Sequence, residues 1–462
     1  MIILFVLKKV IYMIFHDRKT ERRIINEYLN KSGYGMYILY GRRRIGKTYL
    51  LKYCTENKNG IFFTGRQVTG EYLLDTFSKQ ISDYMNIKGI HFKNWEEAFD
   101  FVYSNSSQIK YLVLDEFQYM VQASPEIPSI LQLLSDHKKT DLKLFLCGSS
   151  ISFMHGLLSY KNPLFGRKTN YMRLKPVKFS DVREFFNDFN ELDYHQLLSY
   201  YSVFGGVPQY LKMLDSQKGF IENLNHMFLN IDSPLREEPL FLLSEELREP
   251  RIYHSILESI SFGYNTSSEI SSKIGFKDSR QIQPYLKTLE KLDLISRVVP
   301  ITEKNPARTR KGIYKIKDNL FAFWFRFVYP NLYFIESDMK QKVLKEIETN
   351  ISQYSSFIFE EEARNYVHEY FDFEKTGSYW DKSVEIDILS EKEGKWYAGE
   401  CKWTNKKIGI SEYKKLVEKT LSLKTSVEKY IFVSKNGFDE SIKEIENVIL
   451  IEFSKENGWN VL

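Results

Sequence analysis

The residues Gly41, Arg42, Arg43, Arg44, Ile45, Gly46, Lys47 and Thr48 have the types and spacing that hold a nucleoside triphosphate. A triphosphate presents closely packed anionic oxygens. Gly41 and Gly46 let the backbone turn so that the N–H groups of this loop, from Gly41 through Tyr49, converge on those oxygens. A helix beginning at the end of the loop adds the positive end of its dipole. Lys47 would reach the β- and γ-phosphates as a point charge, and Thr48 would ligate Mg²⁺. The flanks agree: Met36–Tyr40 reads as a strand and Thr48–Tyr53 as a helix.

A second set of residues completes such a site. Tyr111 to Leu114 form an apolar strand that ends in Asp115 and Glu116, where the C-terminal edge of a parallel sheet places ligands. Asp115 would hold Mg²⁺ through water, and Glu116 would orient and deprotonate the attacking water. Two carboxylates at a buried strand end are costly without a metal or cation beside them. Leu144–Ser150 is a strand running into hydroxyls, so Ser149 or Ser150 would sense the γ-phosphate, or else form a plain turn. Arg167, in a loop, reads either as an arginine finger that neutralises transition-state charge or as half of a surface ion pair. The side chains of Arg42, Arg43 and Arg44 read as solvated.

A third cluster lies near the C-terminus. Val384–Leu389 alternates so that Glu385 and Asp387 share a face. Glu400 and Lys402 share a face on the next strand, and the intervening Ser-Glu-Lys-Glu-Gly-Lys-Trp suits a hairpin turn. Asp387 and Glu400 would then bind one or two Mg²⁺ ions, with Lys402 positioning a water against a phosphodiester and Glu360 completing the shell. The alternative is an exposed hairpin with alternating charges.

These residues require elements to hold them. Between residues 15 and 150, strands at Met36–Tyr40, Gly60–Thr64, Lys110–Leu114 and Leu142–Cys147 alternate with helical stretches, which predicts an α/β domain built on a parallel sheet. Residues 175–247 read as helical, with Phe185, Phe186, Leu197, Leu198 and Tyr201 inward. Thr266 to Glu269 form a capping box opening a helix. A second helix carries Ile282, Tyr285, Leu286 and Leu289. Strands at Leu294–Val299 and Ile313–Ile316 then flank a basic loop at 302–312. That order predicts a winged helix. The aromatic run 318–334 reads as a buried helix rather than a base-stacking platform, and 335–350 as a charged connector. The last stretch returns to mixed α/β, with a helix near Phe359–Phe371.

The 462-residue length implies about three domains, and the net charge of +5 permits nucleic-acid contact without demanding it. Cys54, Cys147 and Cys401 are scattered, so neither a disulfide framework nor a zinc cluster is indicated, and a reducing, cytoplasmic compartment is expected. Residues 1–15 are apolar but interrupted by Lys8 and Lys9. They are too short to span a bilayer and read either as a weak membrane or partner anchor or as an extension of the chain, and no other run of 18 apolar residues exists. Met13 reads as an alternative start, with the preceding residues an extension.

The chain resembles the archaeal-type ATPases of the STAND and AAA+-related P-loop group. The resemblance rests on Phe15, His16, Asp17 and Arg18 with Glu21, the phosphate loop, Leu114 to Gln118, Gly148 to Ser150, Pro163 to Arg167, and Gly205 to Tyr210. The C-terminal part is similar to the companion domain of these ATPases, itself similar to PD-(D/E)xK nucleases, through Phe359 to Glu361, Glu385 to Asp387 and Gly399 to Trp403. Glu385-Ile386-Asp387 stands where that signature has Pro-Asp. The resemblance implies Asp17 and Arg18 near the adenine, Pro208 at a helical lid near the nucleotide, and a winged helix that binds DNA or a partner.

The expected organisation is therefore an N-terminal extension (1–14), a P-loop ATPase domain with its helical lid (15–235) and a winged helix (251–318). An aromatic helical connector (319–350) and an α/β restriction-endonuclease-like domain (351–462) complete it. Two functions fit. One is an ATP- and Mg²⁺-dependent ATPase coupled to a DNA-binding, nuclease-like domain. The other is an ATP-dependent signalling switch that recruits a protein partner through a non-catalytic C-terminal domain. Either admits a nucleotide-dependent oligomer.

Overall fold

The computed structural model describes residues 18–137, 140–189, 192–337, 339–423 and 425–462. The chain forms two compact units. One comprises the described residues up to Val177 together with Val207–Lys212; the other comprises Lys178–Gly206 and Met213–Leu462.

The first unit is an α/β layer structure. Its strands are β1 (Gly35–Tyr40), β2 (Gly60–Thr64), β3 (Tyr111–Asp115), β4 (Lys143–Gly148) and β5 (Asn170–Arg173), in the order β2-β3-β4-β1-β5. Every pairing is parallel. Side-chain alternation along β1 sends Met36 and Ile38 into one apolar cluster and Tyr37 and Leu39 into another. Both faces are thus covered, as a parallel sheet with helical crossovers requires. β5 is absent from the sequence-based strands because it is four residues long and none of them is fully buried, which removes the apolar signal.

In the second unit, the helix Tyr194–Phe204 opens with a capping box between Asp193 and Gln196 and buries Leu197 and Leu198. Helices Arg251–Ser261, Ser267–Lys273 and Gln283–Lys291 precede an antiparallel pair, β6 (Ile295–Val298) and β7 (Ile313–Ile316). The Thr266 hydroxyl accepts from the Glu269 N–H, and the Glu269 carboxylate accepts from the Thr266 N–H, as the capping box predicts.

The middle of the aromatic run is buried within this unit, whereas Tyr333 is 70% exposed. Phe321, Phe323, Trp324, Phe325 and Phe327 are at most 2% exposed, so they offer no stacking surface for bases. The Trp324 indole N–H donates to the Arg236 carbonyl at 2.7 Å; truncating this side chain to alanine would cost roughly 3–5 kcal/mol.

The charged segment after it is not a separate connector. Lys340–Tyr370 is one helix of 31 residues, so the boundary expected at 351 falls inside it. Lys342, Lys345, Glu346, Glu348, Glu361 and Glu369 are exposed and Glu360, Glu362 and Arg364 half-buried, while Val343, Ile347, Ser355, Phe359, Ala363 and Val367 form the buried stripe. Beyond it lies a six-stranded sheet: β8 (Lys375–Trp380), β9 (Glu385–Lys392), β10 (Lys395–Lys402), β11 (Val427–Ser434), β12 (Val448–Ser454) and β13 (Gly458–Val461), in sequential order. β8, β9 and β10 are antiparallel neighbours, β10, β11 and β12 are parallel, and β13 returns antiparallel. Among the described residues, no helix is long and apolar enough to cross a membrane.

Candidate functional site

After β1 the chain turns at Gly41, whose φ is +154°. A Cβ there would lie 2.5 Å from the Leu174 carbonyl oxygen, so close backbone approach and conformation both demand glycine. Gly46, with φ +94°, then caps the helix Lys47–Thr55. The first-turn N–H groups of that helix have no intrahelical acceptor, which is the usual anion-binding arrangement.

Lys47 is 5% exposed, and its ammonium donates to the carbonyls of Gly41 and Arg42, each at 2.8 Å. Burial pulls its pKa down, and the nearby Cys147, Glu116 and Asp115 oppose that pull. The ammonium thus closes the loop on itself and is available to exchange carbonyl oxygens for phosphate oxygens.

The Thr48 hydroxyl donates to Asp115 Oδ2 at 2.7 Å. Asp115 is 1% exposed, and its Oδ1 has no hydrogen-bond partner. A buried carboxylate oxygen left unpaired beside a hydroxyl costs free energy. A hydrated Mg²⁺ would relieve that cost, so the donor set fits the metal.

Glu116 comes directly after β3 in a left-handed conformation, φ +49°, a strained geometry for a residue with a Cβ. Its Oε2 accepts from the Ser149 hydroxyl at 2.7 Å and from the Gln118 side-chain amide. The Gln118 amide also donates to Ser149 Oγ at 3.1 Å. Ser149 is therefore brought to Glu116. Gln118, the last residue of the Leu114–Gln118 motif, thus joins Glu116 to Ser149.

A cavity of about 600 Å³ lies over this loop, lined by Arg43, Arg44, Gly46, Lys47, Thr48, Tyr49, Glu116, Tyr119, Pro208, Gln209 and Lys212. Pro208 thus faces the same space as the phosphate loop. The arginines are not simply solvated: all three are half-buried. Arg43 donates to the Tyr119 hydroxyl, and the Arg44 guanidinium lies 5.8 Å from the Tyr210 ring centre. Gln209 lies in the Gly205–Tyr210 motif, whereas Tyr119 and Lys212 belong to no motif and the fold alone brings them to the loop.

Arg18 is 6% exposed. It donates to the carbonyls of Lys175 at 2.6 Å and Ile45 at 3.5 Å, and pairs with Glu21 at 3.0 Å. These contacts tie Arg18 to the phosphate loop at Ile45. Asp17 lies outside the described residues. Arg167 is not among the cavity's lining residues. It forms a forked ion pair with Asp136, the shortest contact being 2.9 Å, and donates to the Pro163 and Phe165 carbonyls. Of the two sequence readings, its geometry matches the ion pair.

In the second unit, the β9–β10 hairpin brings Asp387, Glu400 and Lys402 together. Asp387 Oδ2 accepts the Cys401 N–H at 2.8 Å. Glu400 is 8% exposed, and each of its oxygens holds a lysine: Lys402 at 2.6 Å and Lys419 at 2.7 Å. Lys419, on the helix Ile410–Thr420, has no place in the sequence pattern. Burial, then the Glu400 charge, pushes the Asp387 carboxyl up to about 6. Burial, then Asp387, pushes Glu360 up to about 7. Burial works against the charge on Lys402, but its bond to Glu400 outweighs this and raises its pKa.

The metal shell expected of Glu360, Asp387 and Glu400 is not assembled. Among the described residues no group of three or more His, Cys, Asp or Glu side chains is arranged to hold a metal ion. Both Glu400 oxygens are held by lysine ammonium groups.

The loop between β6 and β7 is braced from inside by Arg297, which donates to the Pro306 carbonyl at 2.7 Å and to the Thr309 carbonyl at 2.5 Å. Lys311 pairs with Glu303 at 2.8 Å. Lys304, Arg308 and Arg310 are exposed.

Comparison with known proteins bears on both units. A family described as an ATPase domain predominantly from Archaea matches residues 15–214. A family of archaeal and bacterial proteins of unknown function matches residues 324–416. An uncharacterized protein of Methanocaldococcus jannaschii is 36% identical over 405 residues, covering 85% of this chain and 88% of that protein. An uncharacterized ATP-binding protein of the same organism is 44% identical over 46 residues, 10% of this chain and 78% of that protein. Among solved structures, the Walker-type ATPase of Pyrococcus abyssi superposes with a TM-score of 0.52 at 22% identity, covering 67% of this chain and 96% of that one. The last likeness shows the fold.

Proposed function

The chain belongs to a family of P-loop ATPases found predominantly in Archaea, and we propose that it hydrolyses ATP to drive a C-terminal domain that acts on DNA. The main support is the set of contacts at the end of β3, where Thr48 meets Asp115 and where Ser149 and Gln118 hold Glu116.

On binding ATP, the Lys47 ammonium leaves the Gly41 and Arg42 carbonyls for the β- and γ-phosphate oxygens. The loop and first-turn N–H groups take the remaining charge. Glu116, aimed by Ser149 and Gln118, accepts a proton from a water that attacks the γ-phosphorus. The bond to the β-phosphate oxygen breaks, and ADP and phosphate leave. Mg²⁺, when bound, neutralises charge on the phosphate oxygens. Pro208, Tyr49 and Arg44 bound the space available to the nucleotide.

DNA is the proposed partner because the exposed Lys304, Arg308 and Arg310 project from a loop in winged-helix order. The Asp387, Glu400 and Lys402 cluster supports a nuclease-like site. A metal there would require Glu400 to release one of its lysines.

That double clamp favours a second reading, an ATP-dependent signalling switch whose C-terminal domain is non-catalytic and recruits a protein. The test incubates the full chain with plasmid and linear DNA, with Mg²⁺ or Mn²⁺, with and without ATP, beside Asp387→Ala. Cleavage lost in Asp387→Ala supports the nuclease-like domain. Intact DNA, with ATP hydrolysis present and abolished by Lys47→Ala, supports the switch.

A further inference from the structure

The three parallel strands of the C-terminal sheet end side by side, and the residues just past each end line one cavity. β10 ends at Lys402 and leads to Trp403 and Asn405; β11 ends at Ser434 and leads to Lys435 and Asn436; β12 ends at Ser454 and leads to Lys455. These residues, with Asp193, His195, Gln196 and Ser199 from the start of the helix Tyr194–Phe204, surround about 490 Å³. The carboxyl edge of parallel strands is where sheets of this kind place ligands.

The cavity is built rather than incidental. The Lys435 N–H donates to the Lys402 carbonyl at 3.0 Å, and its ammonium lies 4.4 Å from the Trp403 ring centre. The Asn436 amide donates to the Asn405 carbonyl at 2.7 Å. The Tyr194 N–H donates to the Lys455 carbonyl at 2.9 Å, tying the end of β12 to the helix. His195 Nε2 donates to the Phe453 carbonyl at 2.7 Å, which fixes the ring.

The chemistry of the lining selects its ligand. Two ammonium groups, Lys435 and Lys455, face a single carboxylate, Asp193. Burial depresses the Lys435 pKa, the positive charge of Lys455 adds to this, and Asp193 only partly offsets it. An anion would relieve both effects. The side-chain N–H groups of Asn405 and Gln196 and the second N–H of Asn436 supply further donors, while the Ser199 hydroxyl already donates to the His195 carbonyl, and the space exceeds that of a simple carboxylate.

We propose that this cavity is a phosphate-binding site, taking a phosphate group carried by a nucleic-acid strand or by a free nucleotide. It is distinct from the phosphate loop, which belongs to the other unit, and does not depend on Asp387 or Glu400 being catalytic.

The test uses the full chain carrying Lys47→Ala, so that the phosphate loop does not contribute. Calorimetric titrations compare a 5′-phosphorylated oligonucleotide, the same oligonucleotide with a 5′-hydroxyl, and AMP. Lys435→Gln with Lys455→Gln should weaken phosphate-bearing probes about tenfold or more. Lys435→Arg with Lys455→Arg should retain most of the affinity. Preference for the phosphorylated oligonucleotide over AMP assigns the site to nucleic acid; the reverse assigns it to a nucleotide. Equal binding of every probe by the Gln pair and its parent, with unchanged thermal melting, would overturn the proposal. So would failure of all three probes to bind the Lys47→Ala chain.

Discussion

The Thr48 hydroxyl lies 2.7 Å from Asp115 Oδ2, joining the first turn after the phosphate loop to the end of β3. Asp115 Oδ1, buried and unpaired, sits at the same junction. Asp115→Asn should therefore keep the fold and metal-free nucleotide binding while lowering Mg²⁺-dependent ATP hydrolysis by about 100-fold or more. Steady-state hydrolysis across a Mg²⁺ titration reads this; unchanged turnover would remove Asp115 from the metal's shell.

Glu116 is aimed by its two donors. Gln118→Ala should lower kcat about 10- to 100-fold, with KM nearly unchanged, because the lost contact orients the base rather than the nucleotide. Ser149→Ala should act in the same direction. A raised KM with kcat intact would instead place these side chains in nucleotide binding.

The loop glycines differ in what a methyl group would meet. At Gly41 it meets the Leu174 carbonyl at 2.5 Å, whereas at Gly46 nothing lies within 4 Å. Gly41→Ala should destabilise the chain by about 2–4 kcal/mol and Gly46→Ala by about 1 kcal/mol, the latter from its positive φ alone. Urea midpoints of the two variants rank them directly.

Glu360 gives a pH signature. Its carboxyl is pushed from an ordinary 4.5 up to about 7 by burial and then by Asp387. A raised carboxyl pKa favours folding when the group is protonated. The contribution is complete below about pH 4.5 and is lost as pH rises through about 7. Glu360→Gln should flatten this decline, recovering on the order of 1–3 kcal/mol at pH 8 relative to pH 4.5. Denaturant titrations at both pH values measure the difference.

The exposed wing should set the salt dependence. Changing Lys304, Arg308 and Arg310 to Gln should weaken duplex DNA binding and reduce the slope of log affinity against log salt by roughly 2–3. An unchanged slope would move any DNA contact elsewhere.

The phosphate loop and β3 are legible in the sequence because backbone geometry dictates their chemistry: two glycines, a lysine and a strand ending in acids admit few other uses. The capping box at Thr266 is legible for the same local reason. β5 is not, being short and at most half-buried. The 31-residue helix reads as two pieces because its charged face interrupts the apolar stripe. Contacts that only folding creates leave no pattern. Asp136 meets Arg167 across 31 positions, and Lys419 reaches Glu400 from a separate helix. Gln118 stands inside a recognised motif, yet its role becomes visible only with its amide on Glu116.

The most direct measurement is steady-state ATP turnover by the purified full chain beside Lys47→Ala and Glu116→Gln, with and without duplex DNA. The expected result is Mg²⁺-dependent turnover that DNA raises, that Lys47→Ala removes with loss of ATP binding, and that Glu116→Gln removes while ATP stays bound. Absence of turnover under all conditions, or turnover that survives Lys47→Ala, would contradict an ATPase driven from this loop.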